Sequence, residues 1–490
     1  MKKRPAILDV AIPNPSDADL PEGWALVPIK DISIINPRHP KGLDDSMPVS
    51  FAPMSALSED GPAFLALEDR PYGEVRKGFT HFGEGDVLFA KITPCMENGK
   101  GAIATGLRNG FGCGTTELHV IRPLGGIDLL YLYRFLSQQS VRRDAKETFT
   151  SSAGQARVPT RFIEELEIPL SPLSEQKRIV AKVEELLARV NAARERLAEV
   201  HAILKRFRQS VLVAACSGRL TEDWRADNPF PELSSDATST LFENSELPQI
   251  PESWRWVPVK DLVPKGGMFD GPFGSNLKSS DYTNHGVRVV RLENIGQLRF
   301  IEEKRTYISR EKFGTLTRHT VRAGDIIFAS FISDEVRACV LPKLQEETIA
   351  KADCFCLRPS EGFDRCYLTF QLVSQLTHDL LIGEIHGATR PRINTTQLKV
   401  VPLRICPLPE QREIVRRVDC LFTLADTIEK QVATGMARAE KLTQAILAKA
   451  FRGELAPQDL NDEPATILLE RIRCNRETES SQLKVYCGKR

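Results

Sequence analysis

No two cysteines in this chain stand at the Cys-x-x-Cys spacing, although there are 11 of them. Cys354-Phe355-Cys356 is too tight a pair for a zinc knuckle. Cysteines spaced in this way read as small buried hydrophobes of a reducing compartment, which argues against both a disulfide framework and a zinc ribbon. No apolar run reaches the roughly 18 residues that a membrane-crossing helix needs. The basic start, Met1-Lys2-Lys3-Arg4-Pro5, leads into a short apolar stretch broken by Asn14, Pro15 and Asp17, unlike a secretory signal. A cytoplasmic protein is expected. An excess of one charge is also missing. Sixty-six basic against 65 acidic residues leave a net charge of +1, which disfavours a general polyanion binder but leaves local basic faces open.

Catalytic constellations are equally scarce. There is no Gly-x4-Gly-Lys-Ser/Thr loop to cradle phosphates. Asn228-Pro229-Phe230-Pro231 lacks the order found in adenine methyltransferases, and no glycine-rich strand-to-helix turn accompanies it. Glu302-Glu303-Lys304 has no preceding acidic metal ligand, so it is a weak nuclease signal. The 8 histidines are scattered, and none has an i, i+4 partner on a helix face. No catalytic, cofactor-binding or metal-ligating residue is assigned.

The chain does contain a long internal repeat. Pro172-Leu173-Ser174-Glu175-Gln176 returns as Pro407-Leu408-Pro409-Glu410-Gln411, a shift of 235 residues (407 − 172). Leu20-Pro21-Glu22-Gly23-Trp24 returns as Ile250-Pro251-Glu252-Ser253-Trp254, a shift of 230 (254 − 24). A period this long is far beyond a solenoid unit of roughly 20–50 residues and means two domains of one kind. Each copy opens with strand signals. Gly85-Asp86 and Gly324-Asp325 are turns that feed the apolar runs Val87–Ala90 and Ile326–Ala329.

Each copy then becomes a long helix. Apolar or small residues fall at Ile179, Val183, Leu186, Val190, Ala193, Leu197, Val200, Leu204, Phe207 and Val211, alternating by four and three. Ile414, Val418, Leu421, Ala425, Ile428, Val432, Gly435, Ala439, Leu442 and Ile446 repeat the register, with Gly435 a weak point. Such a seam favours coiled-coil pairing. About 40 helical residues make a rod near ~60 Å long, whose natural partner is the other rod, running antiparallel. A parallel homodimeric zipper is the alternative. Gly218 and Gly453 sit where each helix should stop. The predicted fold is therefore α/β (α+β): two similar mixed domains separated by a long antiparallel two-helix coiled coil, with pseudo-twofold symmetry. Its predicted parts are an N-terminal arm (1–18), domain one (19–173), the first long helix (174–217), a linker (218–249), domain two (250–407), the second long helix (408–452) and a tail with a short helix (453–490).

The loops of both domains are dense in side chains able to read base edges or bind phosphates. In the first they are Lys91, Asn98, Lys100, Gln155 and Arg157; in the second, Asn276, Lys278, Arg291, Arg390 and Arg392. Arg288 and Asn294 belong to the same stretch. The frameworks match at a constant shift while the strand blocks match only at landmarks, which implies two different half-sites.

Together, the paired Pro-Leu-x-Glu-Gln openings, the Leu-Pro-x-x-Trp and Ile-Pro-x-x-Trp starts, Ser217-Gly218-Arg219-Leu220-Thr221-Glu222-Asp223-Trp224, Ala153-Gly154-Gln155-Ala156-Arg157-Val158-Pro159 and Gly271-Pro272-Phe273-Gly274-Ser275 resemble the specificity subunits of type I restriction–modification systems. The resemblance covers nearly the whole chain. It implies two target recognition domains, each reading half of a split, asymmetric site on double-stranded DNA. It also implies no catalysis by the subunit and no cofactor of its own. S-adenosylmethionine, ATP and Mg²⁺ would belong to two methyltransferase (modification) subunits and two restriction/translocase subunits. The helices would dock the methyltransferases and act as a ruler for the unread spacer. A self-contained DNA nuclease or methyltransferase and a coiled-coil scaffold without a DNA role are the alternatives. If the ruler holds, inserting seven residues after Val190 keeps the seam in phase and lengthens the spacer without altering the half-sites. Mapping methylated adenines reads this directly, and an unchanged spacer refutes it.

Overall fold

The computed structural model describes residues 20–59, 61–152, 155–230, 247–383, 391–474 and 476. The expected arm at 1–18, Arg390 and half of the linker (231–246) lie outside them. The chain forms two compact units, Met1–Leu197 with Ala433–Arg490, and Ala198–Val432. Both boundaries fall inside long helices, so each unit combines one of the two strand-rich domains with the first part of its own helix and the last part of the other.

In the first unit an antiparallel sheet orders Ser33–Ile35, Leu118–Pro123, Val87–Ala90 and Gly101–Ile103. A second, mixed sheet orders Glu68–Pro71, Pro48–Ala52, Phe111–Gly114 and Thr80–Gly83, with Pro48–Ala52 parallel to Phe111–Gly114. Ala25–Pro28 pairs with Glu167–Leu170, joining the domain's start to its end just before the long helix. The second unit repeats the plan. Met268–Phe269, Cys354–Leu357, Ile326–Ala329 and Ala338–Val340 form one sheet. Tyr282–Thr283, Tyr307–Ile308, Val287–Val290, Thr348–Ala350 and Thr320–Val321 form the other, again with one parallel pair, Val287–Val290 beside Thr348–Ala350. Arg255–Pro258 pairs with Pro402–Ile405.

The Gly-Asp turns explain why the sheets begin where they do. Gly85 and Gly324 take φ of +82° and +86°, a left-handed conformation natural to glycine. The buried Asp86 carboxylate accepts from the Gly83 N–H at 2.7 Å and from Arg122 Nε and Nη2 at 2.7 Å each. Asp325 does the same for the Arg322 N–H at 2.8 Å and for Arg358 at 2.9 and 2.7 Å.

The long helices run Leu173–Ser217 and Leu408–Ala450. Pairing is antiparallel in each unit. In the first, Arg194 faces Glu440 at 3.9 Å. In the second, Arg208 Nη2 reaches Asp426 at 2.6 Å and Glu429 at 2.9 Å. The seam is less uniform than the heptads predict. Leu442 is exposed, and Leu187, Leu212 and Ala215 are buried off-register. Near its ends each helix packs into the core of a domain, so the buried arc there is wider than a two-helix seam. Gly435 is not a defect: a Cβ there would lie 3.1 Å from Leu197 Cδ1, so glycine permits the close approach.

The first helix ends at left-handed Gly218 and the second three residues before left-handed Gly453, and the next residues fold back onto a domain. An added Cβ would lie 2.7 Å from Pro251 Cγ at Gly218 and 2.3 Å from Pro21 Cγ at Gly453. Thr221 and Arg225 anchor the start of the linker, through Glu410. The tail helix at 465–474 buries Ala465, Leu468, Leu469 and Ile472 in the core of the first unit. Removing the buried Asp86 carboxylate strands Arg122 and the Gly83 N–H. Asp86→Ala should therefore cost roughly 3 kcal/mol or more. Urea unfolding of the full chain measures this, and an unchanged midpoint would contradict it.

Candidate nucleic-acid interface

The candidate interface is a loop frame that recurs in both units. In the first, the chain leaves Val87–Ala90 at Lys91, whose N–H donates to the Glu117 carbonyl at 3.0 Å and whose carbonyl accepts from Val158 N–H at 3.0 Å. Thr93 N–H donates to Ala156 O at 3.3 Å, and Ile92 bridges Arg157. In the second, Ser330 N–H donates to Asp353 O at 2.9 Å, Ile393 N–H to Ser330 O at 3.0 Å and Ile332 N–H to Pro391 O at 3.0 Å, while Phe331 bridges Arg392.

This frame makes Arg157 and Arg392 equivalents, although the residues around them differ. Each holds an acid at the matching place. Arg157 Nε and Nη2 grip the Glu117 carboxylate at 2.8 and 2.9 Å. Arg392 Nη2 pairs with Asp353 Oδ1. The hydrogen bond from Arg157 holds the Glu117 carboxyl below the usual range. Both arginine side chains stay part-exposed, at 33% and 45%. Arg392 also lies over the rings of Phe273 and Phe331.

Around this pair the two units diverge. In the second, Arg291 and Lys351 lie over the Tyr282 ring, at 5.4 and 5.1 Å from its centroid, and Lys351 Nζ donates to the tyrosine hydroxyl. Arg291 also pairs with Glu293 at 3.2 Å. Burial raises the nearby Asp270 carboxyl to about 6. In the first unit, His119 Nε2 bonds Val158 O at 2.9 Å and Nδ1 meets Asn36 Nδ2 at 3.4 Å, so the ring braces the strand that carries Arg157. Burial lowers the His119 pKa to about 4. Phe355 holds the matching place in the second unit, opposite Phe328 as His119 is opposite Phe89.

The remaining sequence-predicted residues divide. Lys91 lies on the frame, half-buried beside Glu117, and Lys278 is exposed. Asn276 closes a short 3-10 turn, Gly274–Asn276, in the loop that carries Phe273. Lys100 Nζ turns inward to the Met54 carbonyl at 3.2 Å, and Asn98 is held by Glu59 at 3.1 Å. Gln155 pairs through its backbone with Ser152, and its side chain lies outside the described residues, as does all of Arg390. Arg288 and Asn294 are structural: both are buried, and both donate to carbonyls of the loop Ile301–Lys304. Sequence reasoning missed Glu117, Asp353, Tyr282 and Lys351. The two acids could have been found, since they share with Arg122 and Arg358 a shift of 236 residues (353 − 117, 358 − 122).

Residues 21–202 and 251–434, one stretch in each copy, match the family described as type I restriction modification DNA specificity domain. The chain belongs to that family. Among curated specificity subunits it is 35% identical to that of the type I restriction enzyme EcoDI of Escherichia coli, over 64% of this chain and 70% of that one. It is 28% identical to that of EcoAI, also of Escherichia coli, over 88% of this chain and 82% of that one. A chain of a solved type I R-M system shares the fold with TM-score 0.66 and 22% identity, covering 89% of this chain and 99% of that one. The HsdS subunit from Thermoanaerobacter tengcongensis does so with TM-score 0.54 and 22% identity, covering 89% and 98%. The second specificity domain thus carries the Tyr282 cation cluster, and the first the histidine-braced frame.

Among the described residues no helix is long and apolar enough to cross a membrane. Among the described residues one set of metal-type donors comes together, away from the frame: His39, His81 and Cys113, whose ligand atoms lie within 4.8 Å of one another. Sequence spacing could not show this, because Cys113 faces His81 across strands and His39 arrives from a loop. The two rings stack at 4.4 Å, and each Nε2 bonds a backbone carbonyl. In the second specificity domain the matching register positions are Thr320 and Ile349.

The histidine brace gives the first specificity domain an acid weakness. With a folded pKa of about 4 against about 6.5 unfolded, His119 adds stability that is complete above pH ~6.5 and lost progressively as pH falls towards 4. Hydrogen exchange at Arg157 and Val158 should therefore rise between pH 7 and 5, beyond the intrinsic pH dependence of exchange, and His119→Phe should flatten that rise. Equal acid loosening in the variant would refute the brace.

Proposed function

We propose that this chain is the DNA-specificity subunit of a type I restriction–modification complex, each unit reading one half of a bipartite, asymmetric site. The observation that carries this reading is the loop frame. One backbone arrangement is built twice within two matches to the same specificity family, and it is dressed with different side chains. A duplicated frame with unlike surfaces is what a protein needs to read two different duplex segments with one geometry.

In this reading the chain makes and breaks no bonds. Two methyltransferase subunits supply S-adenosylmethionine chemistry on an adenine flipped out of the duplex, and two restriction/translocase subunits supply ATP and Mg²⁺ chemistry. The long helices dock the methyltransferases, and the complex works in the cytoplasm. The cationic side chains on or beside the frame, Lys91, Arg157, Lys278, Arg291 and Arg392, face the DNA.

The decisive experiment maps methylated adenines in host DNA with and without this chain. Its removal should abolish methylation at one bipartite motif and at no other. The purified chain alone, given Mg²⁺ or S-adenosylmethionine, should neither cut nor methylate DNA. Activity of the isolated chain, or an unchanged methylation map, would overturn the reading.

A further inference from the structure

The loop frames let the two units be matched position by position through backbone hydrogen bonds alone. Lys91 matches Ser330, and Glu117 matches Asp353, because each first residue donates to the second's carbonyl. Thr115 matches Lys351, since their N–H groups donate to Ala52 and Val290 at the ends of matching strands. Pro53 and Arg291, the residues after Ala52 and Val290, therefore match as well. Across these positions only the arginine–carboxylate pair keeps its chemistry: Arg157 with Glu117, Arg392 with Asp353.

This contrast has a physical meaning if the units read different half-sites, so the inference rests on the function proposed above. Two unlike duplex segments share their sugar–phosphate backbone and not their base edges. A side-chain arrangement kept in both frames serves what both segments share. Positions that change within an unchanged frame serve what differs. We infer that Arg157 and Arg392, each set by its carboxylate, are sequence-independent phosphate grips, and that base choice is set at two variable positions, Thr115/Lys351 and Pro53/Arg291; Ser330, at the place of Lys91, is fully buried and its hydroxyl donates to Asp353 at 3.1 Å.

The variable positions also say what the second unit selects. Arg291 and Lys351 carry donors only, and both are steadied on Tyr282. Donor-only cations favour the guanine edge, which offers two acceptors, O6 and N7, in the major groove. The half-site read by the second unit therefore contains a guanine recognised from this cluster. The first unit, with Pro53 and Thr115 at the same places, lacks that reader.

The test uses the full chain assembled with its methyltransferase partner. Binding is measured on a random-sequence duplex pool and on the selected duplex across a salt series. Arg157→Ala should weaken binding roughly tenfold with the same preferred sequence, and lower the salt slope by about 1. Lys351→Thr, which installs the first unit's residue, should leave the first half-site intact and reduce the preference for one guanine in the second by roughly tenfold or more. A changed base preference in Arg157→Ala, or no loss of binding, overturns the grip. An unaltered second half-site in Lys351→Thr overturns the reader. Arg157→Lys, which keeps the cation, should retain more affinity than Arg157→Ala at equal thermal stability, separating phosphate contact from misfolding. If the unmodified complex shows no sequence preference, the proposed function has failed rather than this division of labour.

Discussion

Everything positioned in each unit depends on a buried Glu-Gln pair at the mouth of its long helix. Gln176 is fully buried, donates to Ser171 O at 2.9 Å and accepts from the Asp128 N–H at 2.8 Å. Glu175 accepts from Trp24 Nε1 at 2.9 Å. Gln411 and Glu410 make the same bonds to Cys406, to Asp364 and, at 3.0 Å, to Trp254. A polar group removed from water must find its partner or cost about 1–3 kcal/mol. The helix can satisfy these groups at one height and one rotation against its domain. Helix and recognition loops are thereby fixed to each other, and the apolar core then fills the space around them.

The two mouths are not equally satisfied. Glu410 also receives Thr221 Oγ1 and the Arg225 guanidinium, so both of its oxygens are partnered. The corresponding places after the second helix are held by Ala456 and Leu460, and Leu460 is exposed. Glu175 Oε1 is left among the buried atoms without a hydrogen-bond partner, and burial raises its carboxyl above the usual range. The duplicated joint has kept its tryptophan and lost its cation on one side. The first unit compensates elsewhere: its tail helix adds apolar burial beside the same joint, and Arg178 binds Asp462 at 2.5 Å.

Much of this was legible in the sequence, and what was not has physical reasons. The repeated openings, the Gly-Asp turns and the stopping glycines are local signals with local causes, and each sits where its chemistry requires. The heptad reading overreached at Leu442, because periodicity reports which face is apolar and not how far neighbouring domains wrap the helix. The arginine–carboxylate pairs joined residues 40 and 39 apart (157 − 117, 392 − 353) through strand register, which no local pattern shows. Arg288 and Asn294 looked like readers because the sequence gives residue type without burial. The drift of the repeat from a shift of 230 at Trp24 to 239 at Gly85 (324 − 85) and back to 235 at Arg157 (392 − 157) left the strand blocks matched only at landmarks. It records insertions and deletions between frame positions, while the frame itself is unchanged.

That separation of frame from surface explains how one fold can change its target without losing its structure. The frame is held by backbone hydrogen bonds, which are indifferent to side-chain identity, so Lys can become Ser, or Thr become Lys, at no cost to the loop's course. The buried carboxylates beneath it, Asp86 and Asp325, fix the turn that launches each frame and lie too deep to touch a ligand. Substitutions on the frame can therefore accumulate in one unit independently of the other. On the proposed reading, variation in what is read falls on positions that carry little of the stability.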